Sequence, residues 1–169
     1  INDILRLSQL DEGGELPRES VSLAQIANEA VQSLEDEAKS RQVTLTLRGT
    51  SGVLTGVRRL LYEIVRNLCE NAVKYNVPGG KAEAEISETA DAVTLTVRDT
   101  GIGIPPAEQR RVFERFYRVD KSHSRTIGGT GLGLSIVKHA VACHHGTIHL
   151  ESTPGQGTTV TVTFPRETA

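Results

Sequence analysis

The chain has 169 residues, and its 19 Lys and Arg against 21 Asp and Glu give a formal charge of −2. That balance argues against a nucleic-acid surface working by bulk positive charge. The length suits one domain with a single core and room for a short appendage, and no apolar run approaches the roughly 18 residues of a membrane helix.

No signal peptide is visible. The chain starts at Ile1 and contains no Met, so it reads as a piece of something longer. Ile4, Leu5, Leu7 and Leu10 recur at helical spacing and stop at Asp11-Glu-Gly-Gly14, which predicts a helix end followed by a linker. Ser22-Leu-Ala-Gln25 is a capping box, and Leu23, Ile26, Ala27, Ala30, Val31, Leu34 and Ala38 continue a stripe that predicts one helix over about 22–41. Val43-Thr-Leu-Thr-Leu47 alternates as a strand, and Thr50 to Gly56 reads as a turn with a short strand.

Leu60, Leu61, Ile64, Val65, Leu68 and Ala72 bury one face of a helix expected over 57–75. Asn67, Asn71 and Lys74 line another face. Two amides and an ammonium in a row make poor core. They read either as a solvated face or as a wall for a metal-bound polyphosphate, because an Asn oxygen suits Mg²⁺ and a Lys suits phosphate. Cys69, on this helix, and Cys143 read as small apolar groups of a reducing compartment, with a disulfide as the alternative.

Asn76 to Gly80 breaks the helix, and the alternating runs 81–88 and 92–99 flank a polar turn, which predicts a hairpin. Pro105-Pro106 opens a short helix to about Phe113, and the polar stretch 118–130 reads as a mobile lid. A helix over 131–145 ends at Gly146, and 147–152 with 158–164 form a last hairpin. Hairpins with three long helices between them predict an α+β fold: a two-layer sandwich with a mixed, mostly antiparallel sheet and three helices on one face. His139, His144 and His145 cluster at a helix end, but 139 and 144 diverge around the helix and no acidic partner completes a metal set.

Three glycine-rich stretches carry the strongest signal: Asp99-Thr-Gly101-Ile-Gly103-Ile104-Pro105, Gly128-Gly129-Thr130-Gly131-Leu132-Gly133, and Pro154-Gly-Gln-Gly-Thr158-Thr159. With Asn67 to Asn76 and Phe113-Glu-Arg115-Phe-Tyr-Arg118, they resemble in order the N, G1, F, G2 and G3 boxes of the catalytic, ATP-binding domain of sensor histidine kinases, of the kind that includes phosphate-response sensors. The resemblance implies a Bergerat-type fold shared with gyrase-like ATPases. Asp99 would accept from the exocyclic amino group of adenine, with Gly101, Gly103 and Ile104 beside the base. Gly129, Thr130, Gly131, Leu132 and Gly133 would bring backbone N–H groups and a helix dipole to the phosphates. Asn71 would be the Mg²⁺ ligand, Lys74 would pair with phosphate, Tyr75 would lie along the adenine or ribose with a core position as its alternative, and Thr158 would bond near the base. Arg118 would reach the γ-phosphate, because its fork stays charged and meets spread oxyanion charge.

Gyrase-like ATPases carry a water-activating Glu where this chain has Asn67, as histidine kinases do, and an amide is no general base. The resemblance therefore implies phosphoryl transfer from ATP to a histidine on a separate dimerisation domain. A gyrase-like ATPase and a non-catalytic nucleotide-binding regulator are the alternatives. It further implies residues 1–12 as the end of the dimerisation helix, 13–19 as linker and 20–166 as the catalytic domain. The implied context is cytoplasmic, within a membrane-anchored sensor that is homodimeric at full length, with this piece monomeric. A response-regulator receiver domain would be a partner and nucleic acid would not.

Overall fold

A computed structural model describes residues 17–105 and 133–166 of the chain. In chain order these form β1 (Glu19–Ser22), α1 (Leu23–Ser33), α2 (Glu35–Ser40), β2 (Thr44–Gly49), β3 (Val53–Gly56), α3 (Arg58–Lys74), β4 (Lys81–Glu88), β5 (Ala92–Asp99), α4 (Gly133–Cys143), β6 (Thr147–Thr153) and β7 (Gly157–Pro165). Five strands make one sheet in the order β2-β4-β5-β7-β6. Only the β2–β4 pair of that sheet is parallel. β1 and β3 form a separate antiparallel pair.

Alternation along each strand decides which face is covered. Ala84 sits opposite Val97, Leu95 opposite both Ile86 and Val162, and Val93 opposite Phe164, so these side chains share one face and are buried. α1, α3 and α4 pack on that face and on one another, supplying Leu23, Ile26, Leu61, Ile64, Val65, Val73, Ile136 and Val137 to the core. The opposite face carries Arg48 and Arg98 in ion pairs with Glu83 and Glu85. One apolar face and one charged face make the two-layer α+β sandwich that the alternation predicts.

Three differences from the sequence expectations have identifiable causes. The helix expected over 22–41 is two helices, broken at Leu34, whose ψ of 0° leaves the helical range. Ser33 turns its hydroxyl back onto the Ala30 carbonyl at 2.6 Å, a bond that competes with the helix ladder. Glu35, Asp36 and Glu37 then favour a fresh N-terminus by meeting its dipole. Ser22 is the N-cap as expected, accepting from the Gln25 backbone N–H. The residues before it, however, form β1, where a linker was expected to run through residue 19. The stretch 50–56 resolves into β3, the partner of β1. His144 is buried: its Nδ1–H donates to the Ala140 carbonyl at 2.7 Å, and its Nε2 accepts from the Val57 N–H at 3.0 Å. It thus ties the end of α4 to the start of α3, and burial pushes its pKa down.

Among the described residues, no helix is long and apolar enough to cross a membrane. Cys69 is buried, Cys143 is half-buried, and both are free thiols; burial pushes the Cys69 thiol up to about 12.

Candidate functional site

Three stretches far apart in the sequence meet at one end of the sandwich: the C-terminus of α3, the loop after β5, and the β6–β7 turn. α3 runs to Lys74 because its apolar stripe is covered along its whole length. It stops where Asn76 turns its amide back to donate to the Ala72 carbonyl at 3.0 Å and to the Lys81 carbonyl at 2.9 Å. The loop 100–105 is stitched to that end by a bond from the Ile102 N–H to the Tyr75 carbonyl, at 3.0 Å. It is stitched to the turn by the Gly155 N–H on the Ile102 carbonyl at 2.8 Å, and by the Ile104 N–H on Ser152 Oγ at 2.7 Å.

Asp99 closes β5 in the middle of this junction. Its Oδ1 accepts from the Gly101 N–H at 2.9 Å and from the Thr158 N–H at 3.2 Å. Both bonds land on the same oxygen, which leaves Oδ2 to meet a ligand. Burial pushes the carboxyl up to about 6, against those two N–H groups, which pull it down. A half-buried carboxylate held by backbone at the edge of a cleft marks a site where charge is kept for a ligand.

Two glycines allow this packing. A Cβ on Gly101 would stand 2.3 Å from the Tyr75 carbonyl oxygen, so only glycine lets the loop lie against the end of α3. Gly157 has φ +123°, and a Cβ there would stand 2.0 Å from the Asp99 carbonyl oxygen. Gly103 lies against the backbone of Thr153 and Pro154.

On α3, Asn67 is buried and its Nδ2 donates to the Glu63 carbonyl at 2.7 Å and to Glu63 Oε2 at 3.3 Å. Two oxygens facing Nδ2 fix the amide's orientation and leave Oδ1 as the acceptor it offers elsewhere. Asn71 is half-exposed one turn on. Lys74 pairs with Glu70 at 3.1 Å, and Glu70 is also held by Arg66 at 2.6 Å. The ammonium is therefore parked on its own helix. Tyr75 caps α3 and contributes its backbone carbonyl to the junction.

The structure thus brings Asp99, Gly101, Gly103, Ile104 and Thr158 together with the α3 end that carries Asn71, Lys74 and Tyr75. Gly133 is the first residue of α4. Arg118, Gly129, Thr130, Gly131 and Leu132 lie outside the described residues, as do the expected helix to Phe113, the stretch 118–130 and the N-terminal residues 1–16.

Sequence reasoning missed Ser152, whose Oγ contacts the Ile104 N–H, the Gly157 carbonyl at 3.0 Å and Thr158 Oγ1 at 2.7 Å. A signal existed: Ser152 continues the half-buried series Ile148, Leu150 along β6, where an apolar residue is expected. It also missed Asn76 as the bracket that ends α3 and Gly157 as the residue packed on Asp99.

Residues 56–168 match the family described as histidine kinase-, DNA gyrase B- and HSP90-like ATPases. The sensor-like histidine kinase SenX3 of Mycolicibacterium smegmatis is 40% identical over 167 residues, covering 98% of this chain and 44% of that protein. The circadian input-output histidine kinase CikA of Synechococcus elongatus is 39% identical over 173 residues, covering 99% of this chain and 23% of that protein. The chain therefore spans less than half the length of these curated relatives. Of the solved structures, full-length ShkA in complex with AMPPNP aligns with a TM-score of 0.85 at 26% identity, over 99% of this chain and 35% of that one. The mycobacterial sensor histidine kinase MprB aligns with a TM-score of 0.77 at 26% identity, over 90% of this chain and 100% of that one. The chain belongs to the histidine kinase-, DNA gyrase B- and HSP90-like ATPase family, as an ATP-binding catalytic domain of the sensor histidine kinase type.

Proposed function

We propose that this domain binds Mg-ATP at the junction of α3, the loop after β5 and the β6–β7 turn, and donates the γ-phosphoryl group to a histidine on a separate dimerisation domain. The observation that carries the reading is Asp99, held by two backbone N–H groups through Oδ1 and left with Oδ2 facing outward, as an acceptor for the adenine amino group. The AMPPNP bound to ShkA supports a triphosphate ligand.

The α3 face fits the metal that a triphosphate brings. Asn67 has its Nδ2 committed to Glu63, so its oxygen is the atom it can offer, and Asn71 one turn on is a second amide. Hard amide oxygens with phosphate oxygens suit Mg²⁺. Asn71 is the proposed ligand with Asn67 behind it, and the ion would supply neutralisation of the charge that builds on the β- and γ-phosphates. Lys74 would leave Glu70 for a phosphate oxygen. Arg118 is assigned to the γ-phosphate from its sequence alone, with Gly129 to Gly133 around the phosphates on the same ground. Tyr75 is assigned to the adenine or ribose.

In the transfer, an imidazole nitrogen of the acceptor histidine attacks the γ-phosphorus, the bond to the bridging oxygen breaks, and ADP leaves with the electron pair. Asn67 in place of a carboxylate leaves no base to activate water at that position, which favours transfer over hydrolysis. In the whole protein, the dimerisation domain would come from the same homodimeric chain, a receiver domain would take the phosphoryl group onward, and the assembly would sit on the cytoplasmic side of a membrane anchor.

The test is radiolabel moved from ATP to a histidine-bearing dimerisation hairpin supplied in trans, with phosphate release by the domain alone measured beside it. Acid-labile phosphohistidine with little free phosphate is the expected result. Brisk release without the hairpin would favour an ATPase, and tight binding without transfer would favour a nucleotide-gated regulator.

A further inference from the structure

We infer that Ser152, which stands outside every glycine-rich motif, sets base specificity by taking the hydroxyl proton of Thr158, so that the base-reading edge offers only acceptors and selects a 6-amino over a 6-oxo purine. The inference rests on the proposed placement of adenine beside Asp99 and Thr158.

The argument is a proton count. A serine hydroxyl has one hydrogen to give and two lone pairs to receive with. Ser152 Oγ meets three groups: the Ile104 N–H at 2.7 Å, the Gly157 carbonyl at 3.0 Å and the Thr158 hydroxyl at 2.7 Å. The amide must donate and the carbonyl must accept. Ser152 therefore spends its own hydrogen on Gly157, receives one from Ile104, and has a single lone pair left for Thr158. Its bond to Thr158 is then made with the hydrogen of Thr158. That hydroxyl keeps lone pairs and no proton for a ligand.

Beside it, Asp99 Oδ1 is occupied by the Gly101 and Thr158 N–H groups and Oδ2 remains, another acceptor. An edge built of a carboxylate oxygen and a proton-depleted hydroxyl receives the two hydrogens of a 6-amino group. It meets the O6 of inosine or guanine with lone pair against lone pair. A part-buried site without a donor leaves that oxygen unpaired, and an unpaired buried acceptor is a strong source of rejection. The same bonds hold the loop: Ser152 clamps Ile104 to β6, so the residue that withholds the proton also fixes the distance between the loop and Thr158.

ATP and inosine triphosphate, which differ at C6 and N1 of the purine, are the probes, and calorimetric titration gives both affinities for wild type, Ser152→Ala, Ser152→Thr and Thr158→Val. Wild type should favour ATP by tenfold or more. Ser152→Ala frees the Thr158 proton to donate to O6, so the ratio should narrow by about three- to tenfold, the worth of one neutral hydrogen bond. Ser152→Thr, which keeps a hydroxyl, should restore it. Thr158→Val should weaken ATP and leave inosine triphosphate unchanged, a result that stands even if Ser152→Ala does not fold. A Ser152→Ala that weakens both nucleotides in equal proportion overturns the inference, because a purely structural serine would do that, and so does loss of inosine triphosphate binding in Thr158→Val. Wild type that binds both nucleotides alike overturns the adenine placement itself.

Discussion

At the base end of the pocket, Asp99 is fixed by two backbone N–H groups, and the loop beside it is stitched to α3 and to the β6–β7 turn through backbone. At the phosphate end, Lys74 is held by another side chain, Glu70, at 3.1 Å. Backbone bonds between packed segments cannot rearrange without moving the segments. An ion pair of two long side chains on one helix face exchanges partners at a cost of a few tenths of a kcal/mol, the range measured for such pairs. The contrast matches the ligand: a planar base read by geometry at a rigid end, and a flexible, highly charged chain met by groups that can move to it.

The largest expected effect breaks the rigid end. Gly157→Ala places a Cβ about on top of the Asp99 carbonyl in a left-handed backbone conformation, so β5 or the turn must shift. A loss of about 3 kcal/mol or more is expected. Thermal unfolding reads it as a fall of roughly 10 °C for a domain of this size.

Asp99→Asn should separate affinity from stability. Loss of the charge-assisted acceptor weakens ATP binding by about ten- to a hundredfold. The apo domain should gain stability at the same time. The native carboxyl titrates at about 6 against an ordinary 3.8, so between those pH values the folded state holds more protons than the unfolded one. Stability therefore falls as pH rises through that window, and the deficit is complete above 6. Asn removes the deficit, by at most about 3 kcal/mol at pH 7.5 and by nothing near pH 3. The variant-minus-wild-type difference in denaturant midpoint is the measurement, because His144, pushed down by burial and acting in the opposite direction, cancels in it.

Lys74→Ala should weaken ATP about tenfold while leaving adenosine within about twofold, because a phosphate contact is lost and no base contact is touched. Glu70→Gln should have the smallest effect. It releases Lys74 from its resting partner and removes a negative charge beside the phosphates, so ATP should tighten by no more than about threefold, and less at high salt. Parallel calorimetry with ATP and adenosine checks both variants.

Much of this architecture was legible because its signals are local. The strands 81–88 and 92–99 alternate cleanly around a polar turn, and the structure has them at those residues. The apolar stripe from Leu60 to Ala72 needed no partner to be recognised. β1 was not legible, since four residues form a strand only by pairing with β3 over thirty positions away. The break at Leu34 was written in the three acidic residues after it, but the apolar stripe runs straight through and Leu34 is itself buried. In the site, the glycines announced themselves by spacing, and Asp99 by its place at the end of a strand. Ser152 could not, because its importance lies in which groups the β6–β7 register brings to its hydroxyl.

The central claim is that a rigid base-reading end and an adaptable phosphate end form one nucleotide site. Backbone amide shifts during titration with adenosine, and then with Mg-ATP, test it directly. Adenosine alone should move the amides of Gly101, Ile102 and Thr158 and leave those of Asn71 and Lys74 in place, and Mg-ATP should then move both sets. Adenosine that shifts the α3 amides first, or Mg-ATP that leaves Gly101 and Thr158 unmoved, would contradict it.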